Sequence, residues 1–189
     1  MIFPLSLKTP LQNFKLLSHC LIPRPIAWVS TLNDNGSINL APFSFFNVVS
    51  LEPTILSLCL MKKSDGLPKD TLQNARMSQK LSISIPSLAQ EKLVQECSKE
   101  LDFGVSEAAE FGIDLEILHS AYPPVPKGVK VAFFCEFHSV LDFASSTDTL
   151  LVELKEIYVG DALCNEGLDF EFDALARSGR NFKNLTPLN

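Results

Sequence analysis

The feature of this sequence that most restricts its fold is the alternation of apolar and polar residues in short runs. Every second residue from Leu56 to Leu60 is leucine, with Ser57 and Cys59 between them, which predicts a strand with one buried face. The other runs of this kind carry the same β-type composition. They are Leu81–Ile85, stopped by Pro86, and the longer Val129–Phe143 and Thr149–Leu163, separated by a polar turn at 145–148.

A hairpin is predicted on the N-terminal side of these runs. Pro25–Leu32 is typical of a strand, and the turn residues at 33–36 end in Asn-Gly, a strong hairpin signal. The return strand begins at Ser37, and Pro42 is expected to end it or to form a bulge. Residues 1–22 are expected to form an edge strand or an arm, because Pro4 and Pro10 limit regular structure.

Only short helices are indicated between the strands. A helix at 72–79 would be capped by Asp70 or Thr71, a second at 88–100 begins with a Ser87/Gln90 capping box, and a third at 107–111 ends at Gly112. Strict alternation of strands and helices is missing from the sequence, and so is a GxGxxG motif. The fold class that follows is mainly β with short helices, a β-barrel rather than a Rossmann fold.

Composition narrows the class of protein. The chain has 189 residues, enough for one domain with tails, and a formal charge of −6 without a Lys/Arg-rich face, which argues against nucleic-acid binding. No apolar run of about 18 residues and no signal-peptide pattern is found, so no membrane association is expected. Five widely spaced cysteines without a CxxC pair favour a reducing, cytoplasmic setting and no metal site.

The stretch Leu40–Asn47 does not fit an ordinary strand or an ordinary surface loop. It holds three phenylalanines in four residues, together with Pro42, Ser44 and Asn47. Such a mixture suits a loop that packs against something flat, apolar and polar-edged. The residues alone leave two partners open, namely the rest of the core and a planar ligand.

Three segments in order carry a resemblance to a known family. Pro23–Thr31 reads PRPIAWVST, Gly36–Asn47 ends in NLAPFSFFN, and Lys69–Asn74 reads KDTLQN. Together they resemble the flavin reductase-like domain. The resemblance implies an FMN-binding split β-barrel, normally a homodimer with FMN near the subunit interface. It covers roughly residues 15–165, which leaves 1–14 as an N-terminal arm and 166–189 as a C-terminal tail.

The resemblance also implies which residues hold FMN. Its phosphate needs donors at a helix N-terminus, where Lys69, Asp70 and Thr71 are predicted, with ordinary helix capping as the alternative. Ser30 and Thr31 are candidates for phosphate or ribityl contacts, the alternative being exposed hydroxyls at the barrel rim. Arg24 is a candidate for phosphate or a partner subunit, or for a surface ion pair. The ring would be held by the loop residues Ser44, Phe45, Phe46 and Asn47.

Two further features involve aromatic residues, namely Trp28 and the segment Arg177–Phe182. Trp28, the sole tryptophan, is expected to pack in the core, with stacking on the flavin as the alternative. Arg177–Phe182 resembles a C-terminal Arg-Gly-aromatic pattern of the family, in which Phe182 stands where a tyrosine is frequent. This segment would reach across a dimer or be disordered.

The function implied is that of an oxidoreductase. It would pass reducing equivalents from NAD(P)H through FMN to a second acceptor, such as free flavin, ferric ion or a partner protein. No catalytic side chain is assigned, because the cofactor carries the chemistry. The alternatives are a non-enzymatic FMN electron carrier, and a cofactor-free β-barrel interaction domain.

Overall fold

A single antiparallel sheet of seven strands dominates the computed structural model of the chain, which describes residues 1–185. The strands are β1 (Arg24–Pro25), β2 (Ala27–Leu32), β3 (Ile38–Phe43), β4 (Phe46–Leu51), β5 (Thr54–Met61), β6 (Lys80–Ile85), β7 (Leu115–Glu116), β8 (Val125–Pro126), β9 (Val131–Asp142), β10 (Thr147–Val159), β11 (Leu175–Ser178) and β12 (Asn181–Asn184). The large sheet has the order β3-β2-β6-β9-β10-β5-β4. Its two outer strands, β3 and β4, are consecutive in the chain and are joined at Ser44 and Phe45.

The helices are short, as the sequence predicts, and all but the first lie between strands. They are α1 (Pro10–Cys20), α2 (Asp70–Ser78), α3 (Glu91–Glu96) and α4 (Glu107–Glu110), with 3₁₀ turns at Leu5–Leu7 and Leu88–Gln90. The predicted Ser87/Gln90 capping box is present, but α-helix after it ends at Glu96 rather than at residue 100. No helix within residues 1–185 combines the length and apolar character needed to cross a bilayer.

Strand β2 is buried on both faces and separates two hydrophobic clusters. Ala27 and Val29 face the barrel cluster, which includes Leu56, Leu58, Leu60, Leu81 and Ile83, so the alternation read from the sequence is confirmed. Trp28 faces the second cluster, with Leu40, Val94 and Leu175. The tryptophan is fully buried, and the expectation that it packs in the core is confirmed.

The expectation of an edge strand within residues 1–22 is wrong, because residues 10–20 form helix α1. Thr9 caps this helix in a capping box with Gln12, whose side chain accepts a hydrogen bond from the Thr9 backbone N–H at 2.9 Å. Pro10 occupies the first helical position, where its missing N–H costs nothing. The proline that suggested irregular structure therefore begins a helix.

Pro42 does not end its strand. It lies inside β3, opposite Trp28 of β2. Since β3 is the outer strand of the sheet, the ring replaces an N–H that need not bond to a further strand.

The C-terminal segment 175–184 is an ordered hairpin of the same chain rather than a disordered tail. Strands β11 and β12 form it and continue the short strand β1 into a three-stranded sheet. Gly179 has φ +58° at the first position of the two-residue turn, where glycine is favoured, and an added Cβ would lie 2.2 Å from the His19 ring. Residues 186–189 of the predicted tail lie outside the described part.

Candidate functional site

The structure divides the sequence-predicted site residues into two groups along strand β3. Thr31, Lys69, Asp70 and Thr71 lie near the N-terminus of helix α2, beside Asn39 at the start of the strand. The second group surrounds the β3–β4 connection at the strand's other end and consists of Arg24, Ser44, Phe45, Phe46 and Asn47. Ser44 lies five positions after Asn39, which corresponds to about 16 Å at the usual rise per residue of a strand.

The α2 end forms a small cavity of about 90 Å³, which is lined by the first residues of the helix. Lys69 is the N-cap residue and makes no side-chain capping bond; the prediction that Asp70 or Thr71 caps the helix is wrong. Among the described residues, the backbone N–H groups of Asp70 and Thr71 have no hydrogen-bond partner. Such free N–H groups favour an anion at this position.

Charged side chains surround this helix terminus. Lys63 forms an ion pair with Asp70, which is buried, and the Asp70 carboxylate also accepts from the Gly104 N–H at 3.3 Å. Lys69 lies 3.1 Å from Glu100. The sequence predicts the positions of Lys69 and Asp70 but none of these pairings. Lys63, Gly104 and Glu100 come from loops, and their approach to α2 depends on the tertiary fold.

Glu100 supplies a negative charge from the protein itself at this site. Its carboxylate accepts from the Ser64 hydroxyl at 2.6 Å and from the Ser64 N–H at 3.2 Å, in addition to its contact with Lys69. Hydrogen bonds from Ser64 and the Lys69 ammonium lower the pKa of Glu100 to about 2, so the group is charged at neutral pH. A hydroxyl, a backbone N–H and an ammonium are also the donors that a phosphate requires.

Glu107 is a second carboxylate next to the cavity. It is buried and accepts a hydrogen bond from the Leu40 N–H of the outer strand β3 at 2.8 Å. Burial raises the pKa of this carboxyl, and the Leu40 N–H opposes that effect. Its role is to satisfy the free edge of β3 immediately behind the cavity.

Beneath the cavity lies a buried polar network that holds α2 against the β2–β3 hairpin. The Asn39 amide donates to the hydroxyls of Thr31 at 3.2 Å and Thr71 at 3.1 Å. The Asn74 amide donates to Thr31 at 3.2 Å and to Asn33 at 2.7 Å. Helical spacing places Thr71 and Asn74 on one face of α2, which is the signal that the sequence offered for this pairing.

Ser30 and Thr31 are not rim residues. Both are fully buried on β2, and the Ser30 hydroxyl has no partner among the described residues. Thr31 accepts two amide bonds within the network. Protein atoms cover both hydroxyls here, and their contact with a ligand stays a prediction.

We expect Asn74→Ala to lower the free energy of unfolding by about 3 kcal/mol. The change removes two buried hydrogen bonds and leaves the side-chain amide oxygen of Asn33 without a donor. Denaturant unfolding followed by the fluorescence of Trp28 measures the effect. Met77→Ala, on the exposed side of the same helix, serves as the control and should change stability by less than about 1 kcal/mol. Equal losses in the two variants would contradict the network's role.

At the other end of β3, Arg24 organises the second group. The residue is 5% exposed, and its guanidinium donates to the Ser44 hydroxyl at 3.3 Å, to the Gly179 carbonyl at 3.0 Å and to the Ser18 carbonyl. Its charge also lies over the Phe45 ring, 5.2 Å from the centroid. Of the three alternatives for Arg24, the surface ion pair is excluded, because no carboxylate of the described residues pairs with it.

The aromatic residues of this end have different surroundings. Phe46 packs against the barrel cluster, and Phe45 makes an edge-on contact with Phe14 of α1, with centroids 5.5 Å apart. The Asn47 side chain accepts from the neighbouring Val48 N–H at 2.9 Å. Ser44 through Asn47 line an open cavity of about 480 Å³, together with Arg24 and residues of β5. This cavity is large enough for part of a planar ligand.

The comparison with known families decides between the possible interpretations of this barrel. A model described as "Flavin reductase like domain" matches residues 18–182. The chain belongs to the flavin reductase-like domain family. Its seven-stranded sheet and short helices are the split barrel of that family, so the predicted fold is confirmed.

Relatives and solved structures agree with this assignment. The protein YwrF of Bacillus subtilis, itself uncharacterised, is 30% identical over 81% of this chain and 73% of its own. Nitrilotriacetate monooxygenase component B from Bacillus cereus superimposes with a TM-score of 0.87 at 23% identity, covering 100% of this chain and 97% of the other. The 2-nitrobenzoate 2-nitroreductase NbaA of Pseudomonas fluorescens gives 0.88 at 24% identity, with coverage of 100% and 94%. At these identities the two structures establish the fold.

Proposed function

We propose that this flavin reductase-like protein binds FMN and passes reducing equivalents from NAD(P)H through it to a second acceptor. The observation that carries the proposal is the free N-terminus of helix α2, where two backbone N–H groups lack partners and Lys69 stands beside them. This arrangement fits a phosphate group. It lies in a chain that belongs to the flavin reductase-like domain family.

The residues present fit the rest of the cofactor. Lys69, the Asp70 and Thr71 N–H groups and the Thr71 hydroxyl would hold the phosphate. Strand β3 leads from there to Ser44, whose hydroxyl and neighbouring backbone would meet the polar edge of the ring. Phe45 and Phe46 would supply apolar contacts, and Arg24 fixes the orientation of Ser44.

Bound flavin would supply the hydride chemistry itself. The protein's part is to bind, orient and exclude water. At the phosphate end Lys63 is paired with the buried Asp70, so added negative charge would be received by the helix terminus and by Lys69, in competition with Glu100. At the ring end the Arg24 guanidinium, held near Ser44, would favour negative charge on a neighbouring ring edge.

Glu100 is expected to compete with the FMN phosphate for Lys69. Glu100→Gln keeps hydrogen-bond acceptors for Ser64 and removes the negative charge, so FMN should bind about two- to fivefold more tightly, the scale of a single exposed charge pair. Quenching of flavin fluorescence measures the affinity. Riboflavin, which lacks the phosphate, should show no gain.

Glu110→Gln provides the matched control, since it removes one charge from the exposed side of α4. It should leave FMN affinity unchanged. Equal gains for FMN and riboflavin in the Glu100 variant would show that the carboxylate acts on something other than the phosphate.

We further propose a homodimer, as family membership implies. Support comes from the outer strand β4, whose side chains Val48, Val49 and Leu51 are 49%, 57% and 77% exposed. An apolar outer strand of this kind is a surface that proteins usually cover. Mass measured by light scattering in solution tests the proposal, and a monomer at micromolar concentration would contradict it. A cytoplasmic location stays a prediction.

The enzyme and the electron carrier differ in their electron donor and acceptor. Steady oxidation of NADH or NADPH with free flavin or ferric ion as acceptor supports the enzyme. Reduction of the bound flavin by a partner protein alone supports the carrier. A partner monooxygenase is a plausible class of acceptor to test, since the structure similar to this chain from Bacillus cereus is a monooxygenase component.

A further inference from the structure

A third cavity, which we call the arginine pocket, lies between helix α1, strand β1 and the C-terminal hairpin. Its volume is about 460 Å³. Four cationic side chains line it, namely Lys15, Arg24, Arg177 and Arg180, and none of its described lining residues is Asp or Glu. The chain as a whole has a net charge of −6, so its overall composition does not explain four cationic side chains in one pocket.

Two of these arginines are neighbours in the small sheet. Arg24 of β1 is the register partner of Arg177 of β11, and like charges directly opposite are unfavourable. Burial, and to a smaller extent the charge of Arg24, lowers the pKa of Arg177. Neither arginine forms an ion pair with any carboxylate in residues 1–185.

Backbone carbonyl groups and an aromatic ring stabilise only part of the positive charge of Arg24 and Arg177. Arg24 is stabilised by the Ser18 carbonyl near the C-terminus of α1 and by the Gly179 carbonyl. Arg177 donates to the Arg180 carbonyl at 2.6 Å and lies over the Phe182 ring, 4.1 Å from its centroid. Carbonyl dipoles and ring faces are weaker partners than a carboxylate, so an anion entering the pocket would gain the remaining stabilisation.

The pocket also has an apolar wall. Leu11 and Phe14 of α1 line it opposite the arginines, and the Leu11 side chain is 66% exposed. Its volume is within the range of small-molecule sites, about 300–1,000 Å³. The combination fits a ligand with one anionic group and a small apolar body. A guanidinium binds a carboxylate in two parallel hydrogen bonds, which favours that class of anion.

The position of the pocket connects it with the proposed flavin site. Arg24 and Ser44 line both the arginine pocket and the cavity formed by Ser44 through Asn47. A ligand in the pocket would therefore lie at the same end of β3 as the proposed ring edge.

We propose that the arginine pocket binds a small organic carboxylate with an apolar body beside the flavin ring edge. The anion site stands on the geometry of the pocket alone. Its adjacency to flavin rests on the proposed function.

Benzoate is the probe for the first test, titrated by calorimetry into the flavin-free protein. We expect saturable binding that weakens with added salt, because the attraction is electrostatic. Benzamide, the neutral analogue, should bind at least about tenfold more weakly, the scale of one charge-assisted bond.

Substitutions of the pocket arginines test whether benzoate binds in the arginine pocket. Arg177→Gln combined with Arg180→Gln should weaken benzoate binding by about 10- to 100-fold. The single Arg180→Gln change, at an exposed side chain without a hydrogen bond of its own in the structure, should weaken it without affecting folding. Lys127→Gln, which removes the same charge from a residue outside the pocket, should leave it unchanged. Equal affinities in all the proteins, or no saturable binding at millimolar benzoate, would overturn the proposal.

A second titration uses the FMN-loaded protein. Benzoate should perturb the visible flavin spectrum of the parent protein and not that of the double arginine variant. If FMN does not bind, the proposed function fails while the flavin-free titration still decides the anion site. If FMN binds and benzoate does not, only the arginine-pocket proposal fails. Inorganic phosphate that binds as tightly as benzoate would contradict the apolar part of the proposed ligand.

Discussion

Replacing Arg24 with alanine is expected to lower the free energy of unfolding by about 4 kcal/mol. The side chain is almost completely buried and joins three segments, since it donates to carbonyls of Ser18 and Gly179 and to the Ser44 hydroxyl. Truncation would leave the Gly179 carbonyl and the Ser44 hydroxyl without this donor, whereas the Ser18 carbonyl keeps a hydrogen bond from the Gly179 N–H. Each buried acceptor left without a donor costs about 1–3 kcal/mol. The chemical-denaturation midpoint, followed by Trp28 fluorescence, measures the loss.

Two further variants separate the contributions of Arg24. Arg24→Lys keeps the charge but not the fork of donors, so it should lose about half as much stability. Ser44→Ala removes a single partner and should lose about 1 kcal/mol. In Arg24→Ala, hydrogen exchange should accelerate selectively in α1 and the β11–β12 hairpin, because the arginine connects both to β1. A loss below about 1 kcal/mol would contradict its role as the link.

Replacing Lys69 with methionine is expected to weaken FMN binding by about 10- to 100-fold. This range corresponds to the loss of one charge-assisted hydrogen bond to phosphate, about 1.5–3 kcal/mol. Lys69 is preferable to Thr71 as a test, because the Thr71 hydroxyl is also part of the buried network beneath the cavity. Flavin fluorescence quenching gives the dissociation constants, and riboflavin should bind to parent and variant alike.

Lys62→Met is the matched control for this prediction. It removes the same charge from a lysine that forms no ion pair within residues 1–185 and does not line the α2 cavity. The double variant Lys69→Met with Glu100→Gln adds a second check, since the gain expected from Glu100→Gln should vanish once its lysine partner is gone. Unchanged FMN affinity in Lys69→Met would refute the placement of the phosphate at α2.

The sequence predicts the barrel strands well because their signals are local. The alternating leucines of β5, the Asn-Gly turn after β2 and the polar turn before β10 each act within a few residues. The start signal of helix α1, Thr9-Pro10 with Gln12, is hidden if the proline is taken only as a limit on regular structure. The compatibility of Pro42 with β3 depends on that strand being outermost, which only the sheet order reveals.

The candidate site was predictable only in part. The position of Lys69–Thr71 at a helix start follows from the chain and from the family resemblance. The loop expected over Leu40–Asn47 is wrong in its extent, because only Ser44 and Phe45 connect β3 to β4, and the residues on either side belong to strands. Lys63, Glu100 and Glu107 are contributed by segments distant in sequence, and nothing local indicates their approach. The pairing of Arg24 with Arg177, 153 positions apart, is likewise a product of the three-stranded sheet.

The measurement that tests the central claim most directly is the visible absorption spectrum of the purified protein after incubation with FMN and removal of unbound flavin. It is repeated after anaerobic addition of NADH, and then of NADPH. The account predicts a bound-flavin spectrum that bleaches with one of the two donors. A protein that retains no flavin would contradict FMN binding, and it would mean that the aromatic stretch Leu40–Asn47 serves the core of the barrel alone.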